Sequence, residues 1–358
     1  MKDNRIKRVI QGMEDEGIKQ MIVSSPAAVF YLTGKWLEVG ERMIAFYINT
    51  KGDRKLIINE LFPIRDAEEM EIIYYNDTQN PIDVLCKVIN KDEALAVDKT
   101  WPSHFLIKLM EQKGATNFVN GSLVIDRVRM IKDSEEIALM QKASKINDKV
   151  IGEIFEEISK DKTEKRMCGV LADLYEKEAA QGFSFDPIIA YGANGADPHH
   201  SSDNSTLKEG DSVIVDIGCR NEFYCSDMTR TFFYGEPSEE AKKIYEIVKE
   251  ANLRGIAAVK RGAKFCDIDK ASREYIESFG YGKYFTHRTG HSIGIETHDF
   301  GDVSAVNTEE LKPGMIFSVE PGIYLPGKVG VRIEDLVLVT EDGCEVLNSY
   351  SKDLTIIK

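Results

Sequence analysis

Four carboxylates and one histidine interrupt the apolar segments in the C-terminal part of the chain. They are Asp216, Asp227, His291, Glu320 and Glu334. A lone acidic residue is usually a solvated surface charge, but these acids lie beside runs of valine, isoleucine, leucine and phenylalanine. A carboxylate within a buried apolar strand is costly unless it is paired or binds a metal ion. The pattern therefore predicts a domain built around a charged, buried centre.

The acids form two spaced pairs, each of which fits a β-hairpin. A turn at Asn221-Glu222 would place Asp216 opposite Asp227, and the other two acids flank Gly327 at equal distances. Opposed side chains on one face of a sheet have Cβ atoms about 4.5–5.5 Å apart. Carboxylates that close repel each other unless a cation lies between them or one is protonated. Two such pairs and a histidine predict a binuclear site for divalent metal ions.

The length and the charge of the chain limit its architecture and its partners. The 358 residues exceed one ordinary core, so we predict two domains, residues 1–127 and 128–358. A net charge of −14 argues against nucleic acid and against anionic membranes as partners. No apolar run reaches transmembrane length, and the cysteines show no framework spacing. These features predict a cytoplasmic protein.

Hydrophobic periodicity predicts different architectures for the two domains. In residues 1–127, helices are predicted at 5–19, 81–89 and 104–112, and strands at 21–23, 43–48, 55–58, 72–75 and 94–97. Helices that alternate with strands indicate an α/β domain with a mixed sheet. In residues 128–358, Asp133 and Glu136 predict a capping box at the start of a long helix. Further helices are predicted at 163–181, 238–259 and 266–278. The strands between them carry the acids, which indicates an α+β domain.

Several histidines are candidates for a role beside the acids. Gly290 and Gly294 bracket His291, which predicts that the backbone approaches another group closely there. His199 and His200 are adjacent, and adjacent residues of an extended chain face opposite ways, so only one of them should reach a site. These residues alone do not decide which. His287 is interpreted as a packing or hydrogen-bonding residue.

The order of the motifs resembles a known family. The Asp216–Asp227 run, G-H-S-I-G at 290–294, E-P-G-I-Y at 320–324 and V-R-I-E-D at 331–335 are similar to the proline-specific metallopeptidases of the pita-bread fold. These enzymes are the Xaa-Pro dipeptidases (prolidases) and aminopeptidase P, and the G-A-N-x-A-x-P-H run at 192–199 matches them as well. The resemblance covers about residues 130–358, and the first 127 residues resemble the smaller creatinase/prolidase-type domain.

The resemblance implies a role for each matching position. Two metal ions would be bound by five residues, Asp216, Asp227, His291, Glu320 and Glu334, with Asp227 and Glu334 bridging the ions. The family's histidine after proline falls on His199 and favours it over His200, and a second substrate-side histidine falls on His298. Arg332 matches an arginine that orients nearby carboxylates.

The resemblance also implies a reaction and its partners. The substrate would be a peptide with proline in second position, and the product an amino acid released from its N-terminus. Glu320 would act as general acid and base, while His199 and His298 would stabilise the oxyanion. The oxygen-rich ligand set favours manganese, with cobalt, iron or zinc as alternatives. A homodimer is implied by the resemblance alone.

One position departs from the family. Some prolidases carry an arginine four residues after the histidine that matches His298, where it can bind the carboxylate of a dipeptide. This chain has Asp302 there. An acid at that position would repel a substrate carboxylate, which favours longer Xaa-Pro peptides over dipeptides.

Two other interpretations compete with the peptidase hypothesis. Some relatives of this fold have lost catalysis and act as peptide-binding modules, and others are creatinase-like amidinohydrolases. Both lack the metal-binding carboxylates that this chain retains. The sequence therefore favours an enzyme over a catalytically silent module.

Overall fold

The computed structural model describes residues 3–65 and 70–357. The chain forms two compact units, residues 1–129 and residues 130–358. The division falls near the end of a helix, Ser122–Met130, that also contains the boundary predicted between residues 127 and 128.

The first unit is an α/β domain. Its helices are α1 (Asp3–Asp15), α2 (Pro26–Thr33), α3 (Pro81–Leu85), α4 (Ser103–Glu111) and α5 (Ser122–Met130), which ends at the boundary. Its strands are β1 (Gln20–Val23), β2 (Ala45–Asn49), β3 (Arg54–Asn59), β4 (Glu71–Tyr75), β5 (Leu95–Val97) and β6 (Phe118–Asn120). They form a sheet in the order β4-β3-β2-β1-β5-β6, in which antiparallel and parallel pairs coexist. The predicted mixed sheet is therefore confirmed.

Three elements of the first unit were not predicted, and two predicted helices are too long. The sequence did not indicate α2, α5 or β6. In α2 almost every residue is buried, so this helix lacks the one-sided periodicity on which helix prediction depends. The helix predicted at 81–89 ends at Leu85. The helix predicted at 5–19 ends at Asp15, because Gly17 adopts a left-handed φ of 67° that a helix cannot continue through.

The second unit contains the helices and strands that carry the predicted site. Its helices are α6 (Ser134–Glu157), α7 (Glu164–Lys177), α8 (Glu239–Ala258) and α9 (Phe265–Ser278), with 3₁₀ turns at Gly192–Ala196 and Gly282–Tyr284. Its strands are β7 (Ile188–Tyr191), β8 (Ser212–Ile217), β9 (Arg220–Asn221), β10 (Tyr224–Cys225), β11 (Met228–Tyr234), β12 (Gly290–His291), β13 (Asp302–Val303), β14 (Ile316–Val319), β15 (Gly322–Leu325), β16 (Val329–Arg332), β17 (Asp335–Val339), β18 (Cys344–Val346) and β19 (Ile356–Ile357).

Each half of this unit packs a pair of helices against strands that carry acids. In the first half, Ile154 of α6 and Leu171 of α7 share a core with Val215 of β8. In the second half, Ile268 of α9 lies in a core with Val337 of β17, and α8 packs on the β15–β16 hairpin. The predicted capping box at the start of α6, Asp133 with Glu136, is present. No helix in the described part of the chain combines the length and apolar character needed to cross a membrane.

The two hairpins differ in how well their register was predicted. The hairpin of β15 and β16 is centred on Gly327, as predicted, and the same register continues to Val319 opposite Asp335. Glu320 and Glu334 are therefore in opposed positions.

The first hairpin was predicted one position too early. It turns at Glu222-Phe223, where both residues have positive φ values of 48° and 69°, and Asp216 lies opposite Thr229 instead of Asp227. Such a turn is normally built from asparagine, aspartate or glycine. The predicted turn, Asn221-Glu222, contains one of these residues, whereas the observed turn contains none. Asp216 and Asp227 are consequently diagonal neighbours on the same face of the hairpin.

Candidate metal centre

The five predicted ligands meet at a cavity of about 510 Å³ in the second unit. Asp216 follows the middle of β8, Asp227 precedes β11 and His291 ends β12. Glu320 and Glu334 occupy the two short breaks between β14 and β15 and between β16 and β17. All five side chains line the cavity, and the sequence-based interpretation that they lie together matches this geometry.

The distances between these side chains are those of a potential ligand cluster. Asp227, His291 and Glu334 each offer a ligand atom, and the three atoms lie within 4.8 Å of one another. His291 Nε2 lies 3.6 Å from Asp227 Oδ2 and 3.4 Å from Glu320 Oε1. The acids are thus close enough to share cations.

The electrostatics of the cluster are unfavourable without cations. Burial, together with repulsion from Glu334, Asp216 and Glu320, raises the pKa of Asp227 well above its usual value. Burial and repulsion from Glu320 and Asp216 raise the pKa of Glu334 in the same way. Within the described part of the chain, three buried oxygens have no hydrogen-bond partner: Asp216 Oδ1, Asp227 Oδ1 and Glu334 Oε1. Buried carboxylate oxygens that face no donor are suited to divalent ions.

His291 has the tautomer that a metal ligand requires. Its Nδ1 lies 3.2 Å from the carbonyl oxygen of Ser292, which can only accept, so Nδ1 carries the proton. The lone pair of Nε2 then points toward Asp227 and Glu320. Burial lowers the pKa of His291 to about 4, which keeps the ring neutral near pH 7. The predicted close approach at Gly290 is also found, because a Cβ there would collide with the carbonyl oxygen of Ser318.

Arg332 helps to position two of the acids, Asp216 and Glu334. It is buried and donates from its guanidinium to Asp216 Oδ2 at 2.7 Å and to the Tyr324 hydroxyl at 2.9 Å. It also donates to Thr229 Oγ1, and Thr229 in turn donates to Glu334 Oε2 at 2.7 Å. A single side chain therefore orients one acid directly and a second through a hydroxyl.

The structure separates the two adjacent histidines. His199 lines the cavity, whereas His200 Nε2 lies 2.7 Å from Glu164 Oε2 and faces away from it. His298 also lines the cavity, with its ring centroid 4.2 Å from that of His291. The pKa of His298 is lowered to about 4, because part of its ring is removed from water and because His291 and Arg288 lie near it.

His287 has the hydrogen-bonding role that the sequence predicts, whereas Asp302 does not lie where the sequence places it. His287 does make hydrogen bonds, to the Tyr324 hydroxyl at 2.8 Å and to the Arg288 carbonyl, but its side chain also lines the cavity. Asp302 pairs through its backbone with His291. Among the described residues, those that line the cavity do not include Asp302.

The comparisons with known proteins agree with this geometry. Residues 138–341 match the model of metallopeptidase family M24. The chain belongs to metallopeptidase family M24. Residues 5–131 match the creatinase/prolidase N-terminal domain, so the predicted fold class is confirmed.

Relatives of the family cover the whole length of the chain. An uncharacterized peptidase of Staphylococcus aureus is 35% identical over 97% of this chain and 99% of its own length. Among solved structures, a prolidase from Thermococcus sibiricus has a TM-score of 0.94 at 35% identity and covers 100% of this chain and 99% of that one. A Xaa-Pro dipeptidase from Bacillus anthracis has a TM-score of 0.92 at 31% identity, with 99% of both chains covered. An X-Pro aminopeptidase from Thermotoga maritima has a TM-score of 0.85 at 30% identity, over 97% of this chain and 100% of that one.

Family M24 consists of metallopeptidases, so this chain is a hydrolase of the peptidase type. The family implies divalent metal ions, and the residues present fit them. Four carboxylates converge with a neutral histidine, and three of their buried oxygens have no hydrogen-bond partner among the described residues.

Several residues that support the M24 site were missed by sequence reasoning. Thr229 bonds to Glu334, and Ser318 donates to Glu320 Oε1 at 3.1 Å while it accepts from the backbone N–H of His291. The spacing of residues in the sequence does point to Ser318 and Thr229. Each lies two positions from a predicted ligand and therefore on the same face of its strand.

Glu164 was also missed, and it organises the loop that carries His199. Its buried carboxylate accepts hydrogen bonds from the backbone N–H groups of Tyr191 and Asp203 and from the side chain of Asn194, and it pairs with His200. Glu164, His200 and Asp203 could geometrically hold a cation. Both oxygens of Glu164 are already engaged by donors, so its contacts are those of a loop anchor.

We expect Glu164→Gln to impair the M24 site without removing its metal. The amide would turn a donor toward N–H groups that now donate to the carboxylate, which costs about 1–3 kcal/mol of unfolding free energy. The displaced loop would lower kcat/KM for a Xaa-Pro substrate about 10-fold through His199, while metal content stays unchanged. Chemical denaturation, steady-state kinetics and metal analysis measure the three quantities. Asp161→Asn, at an exposed position, is the control, and an unchanged kcat/KM in Glu164→Gln would contradict the anchoring role.

Proposed function

We propose that this chain is a binuclear-metal exopeptidase that hydrolyses the bond between an N-terminal residue and a following proline. The observation that carries the proposal is the convergence of Asp216, Asp227, His291, Glu320 and Glu334 on one cavity, with buried carboxylate oxygens left free for cations. These five side chains would hold the two ions. The oxygen-rich ligands favour manganese.

The side chains around the centre perform the remaining tasks of the reaction. When bound, the two ions lower the pKa of a water molecule and polarise the carbonyl before proline. Glu320 removes a proton from the attacking water and returns it to the proline nitrogen, which leaves as a secondary amine. Ser318 holds Glu320 in orientation through its hydroxyl group. Arg332 keeps Asp216 in place through an ion pair of 2.7 Å.

His199 and His298 act on the substrate. Both line the cavity, and an imidazole ring can donate a hydrogen bond from a ring N–H group. They donate to the carbonyl oxygen as negative charge develops on it. Burial lowers the pKa of His298 to about 4, which keeps this ring neutral near pH 7.

The proposal also covers the cellular location, the oligomeric state and the partners of the protein. The six cysteines are free thiols in the structure, which accords with a reducing cytoplasm. A homodimer with peptides as its partners, and with no role for nucleic acid or membranes, completes the proposal. Sedimentation of the purified chain tests the dimer directly.

Hydrolysis of three small peptides tests the proposed activity. Protein stripped of metal and reconstituted with manganese is incubated with Ala-Pro, Ala-Pro-Ala and Ala-Ala. We expect release of alanine from at least one of the proline peptides and little from Ala-Ala. Absence of cleavage of both proline peptides by the manganese-loaded protein would contradict the proposal and favour a silent peptide-binding module.

A further inference from the structure

Arg288 is a cationic residue in the cavity that the proposed mechanism does not use. It lies between His287 and Thr289, just before the strand β12 that carries His291, and its side chain lines the cavity. Across residues 3–65 and 70–357, its guanidinium makes no salt bridge and no side-chain hydrogen bond. Other arginines of the same unit are paired: Arg230 with Asp335, Arg273 with Asp269 and Arg332 with Asp216.

No acidic side chain among the described residues that line the metal-loaded cavity would remain to balance the positive charge of Arg288. Two divalent ions would offset the charges of the four carboxylates that line the cavity. Arg332 is buried and its donors are occupied by Asp216, Thr229 and Tyr324. Arg288 is exposed, with its donors free. A metal-loaded cavity would therefore attract a ligand that carries a negative charge at the position of Arg288.

Arg288 is also near the reacting end of the cavity. It lies three positions before His291 in the sequence, and both residues line the same cavity as His298. In a Xaa-Pro dipeptide, the C-terminal carboxylate follows the scissile bond by one residue, a span of at most about 3.6 Å of chain. A carboxylate that close to the scissile carbonyl falls in the neighbourhood of the metal ligands, where Arg288 lies. A longer peptide has a neutral amide at the same place.

We propose that Arg288 binds the C-terminal carboxylate of a Xaa-Pro dipeptide and so makes dipeptides the preferred substrates. This inference rests on the proposed function and specifies its substrate class. An arginine can donate two parallel hydrogen bonds to a carboxylate, which an amide cannot accept in the same way. The proposal reverses the preference for longer peptides that Asp302 indicated, because Arg288 and not Asp302 is among the described residues that line the cavity.

A pair of substrates that differ only in charge isolates this interaction. The wild type and Arg288→Gln, both loaded with manganese, are assayed with Ala-Pro and with Ala-Pro amide. We expect the wild type to favour Ala-Pro, and the substitution to raise the KM for Ala-Pro about 10- to 100-fold while the KM for the amide changes little. Arg288→Lys should retain part of the preference, because it keeps the charge and loses the paired donors.

The controls separate this inference from the proposed function. Arg261→Gln removes an exposed arginine that pairs with Glu341 on the surface, and it should leave both KM values unchanged. Calorimetric titration of the manganese-loaded proteins with L-proline and L-prolinamide measures the same preference without turnover. An unchanged ratio of KM values, together with equal proline affinity in wild type and Arg288→Gln, would overturn the role of Arg288 while hydrolysis of either substrate still supported the peptidase. If the wild type hydrolysed neither substrate, the proposed function would be contradicted as well.

Discussion

Glu334→Ala is expected to abolish peptidase activity and to reduce bound manganese from two ions to at most one per chain. Glu334 is buried at the centre of the cluster, with one oxygen unpartnered and the other bonded to Thr229. A metal ion contributes several kcal/mol of charge stabilisation to a hydrolytic transition state. At 1.36 kcal/mol per factor of ten, loss of an ion corresponds to about a 1000-fold decrease in kcat/KM or more. Metal analysis of the dialysed protein and steady-state kinetics measure the two effects.

The unfolding temperature of the metal-free protein shows whether Glu334 is a metal ligand or a residue that stabilises the fold. Burial and repulsion raise the pKa of Glu334, so this carboxylate strains the metal-free fold when it is ionised. Glu334→Ala should therefore unfold, without metal, at the same temperature as the wild type or higher. Glu345→Ala, at an exposed position of strand β18, which pairs with β17, is the matched control. Full metal stoichiometry in Glu334→Ala would show that the ligand assignment is wrong.

Glu320→Gln is expected to lower kcat by about 100- to 10,000-fold, the range typical of a general acid–base residue. The amide keeps the size of the side chain and one oxygen that can bind metal, but it cannot take up a proton. KM for a Xaa-Pro peptide should change much less than kcat, and at saturating manganese two ions should still bind.

A variant of the neighbouring residue provides the control for Glu320. Ser318→Ala removes the hydroxyl that donates to Glu320 Oε1 and leaves the carboxylate itself in place. We expect a decrease in kcat of about 10-fold, with the pH profile retained, since a single orienting hydrogen bond is worth about 1 kcal/mol. A Glu320→Gln enzyme with kcat within tenfold of wild type and two bound ions would remove Glu320 from the acid–base role.

Features that nearby residues determine were predicted correctly, whereas features that depend on long-range packing were not. Gly327 fixed the second hairpin correctly, because its left-handed φ of 72° is conformationally inexpensive for glycine. The capping box of Asp133 and Glu136 is likewise local and was predicted. The first hairpin was misplaced because Glu222 and Phe223 hold positive φ values that their own side chains disfavour, so the surrounding packing decides the turn.

Within the site, the acids were predictable and their supporting contacts were not. A charged residue amid buried apolar residues is visible in the sequence, as at Asp216 and Glu334. The contact of Glu164 with His200 joins residues 36 positions apart, and that of Arg332 with Asp216 joins residues 116 apart. Contacts between residues so far apart leave no hydrophobic periodicity in the sequence. The unpaired state of Arg288 is a property of the folded cavity and could be recognised only there.

Titration of metal-stripped protein with manganese, followed by hydrolysis of Ala-Pro and Ala-Pro-Ala, tests the central claim most directly. The account predicts no activity without metal and a rate that rises to a plateau at two manganese ions per chain. It further predicts that both ions are lost from the titration curve when Asp227, which lies between the other ligands, is replaced by alanine. Full hydrolysis by metal-free protein, or two bound ions without hydrolysis of either peptide, would contradict a binuclear Xaa-Pro peptidase.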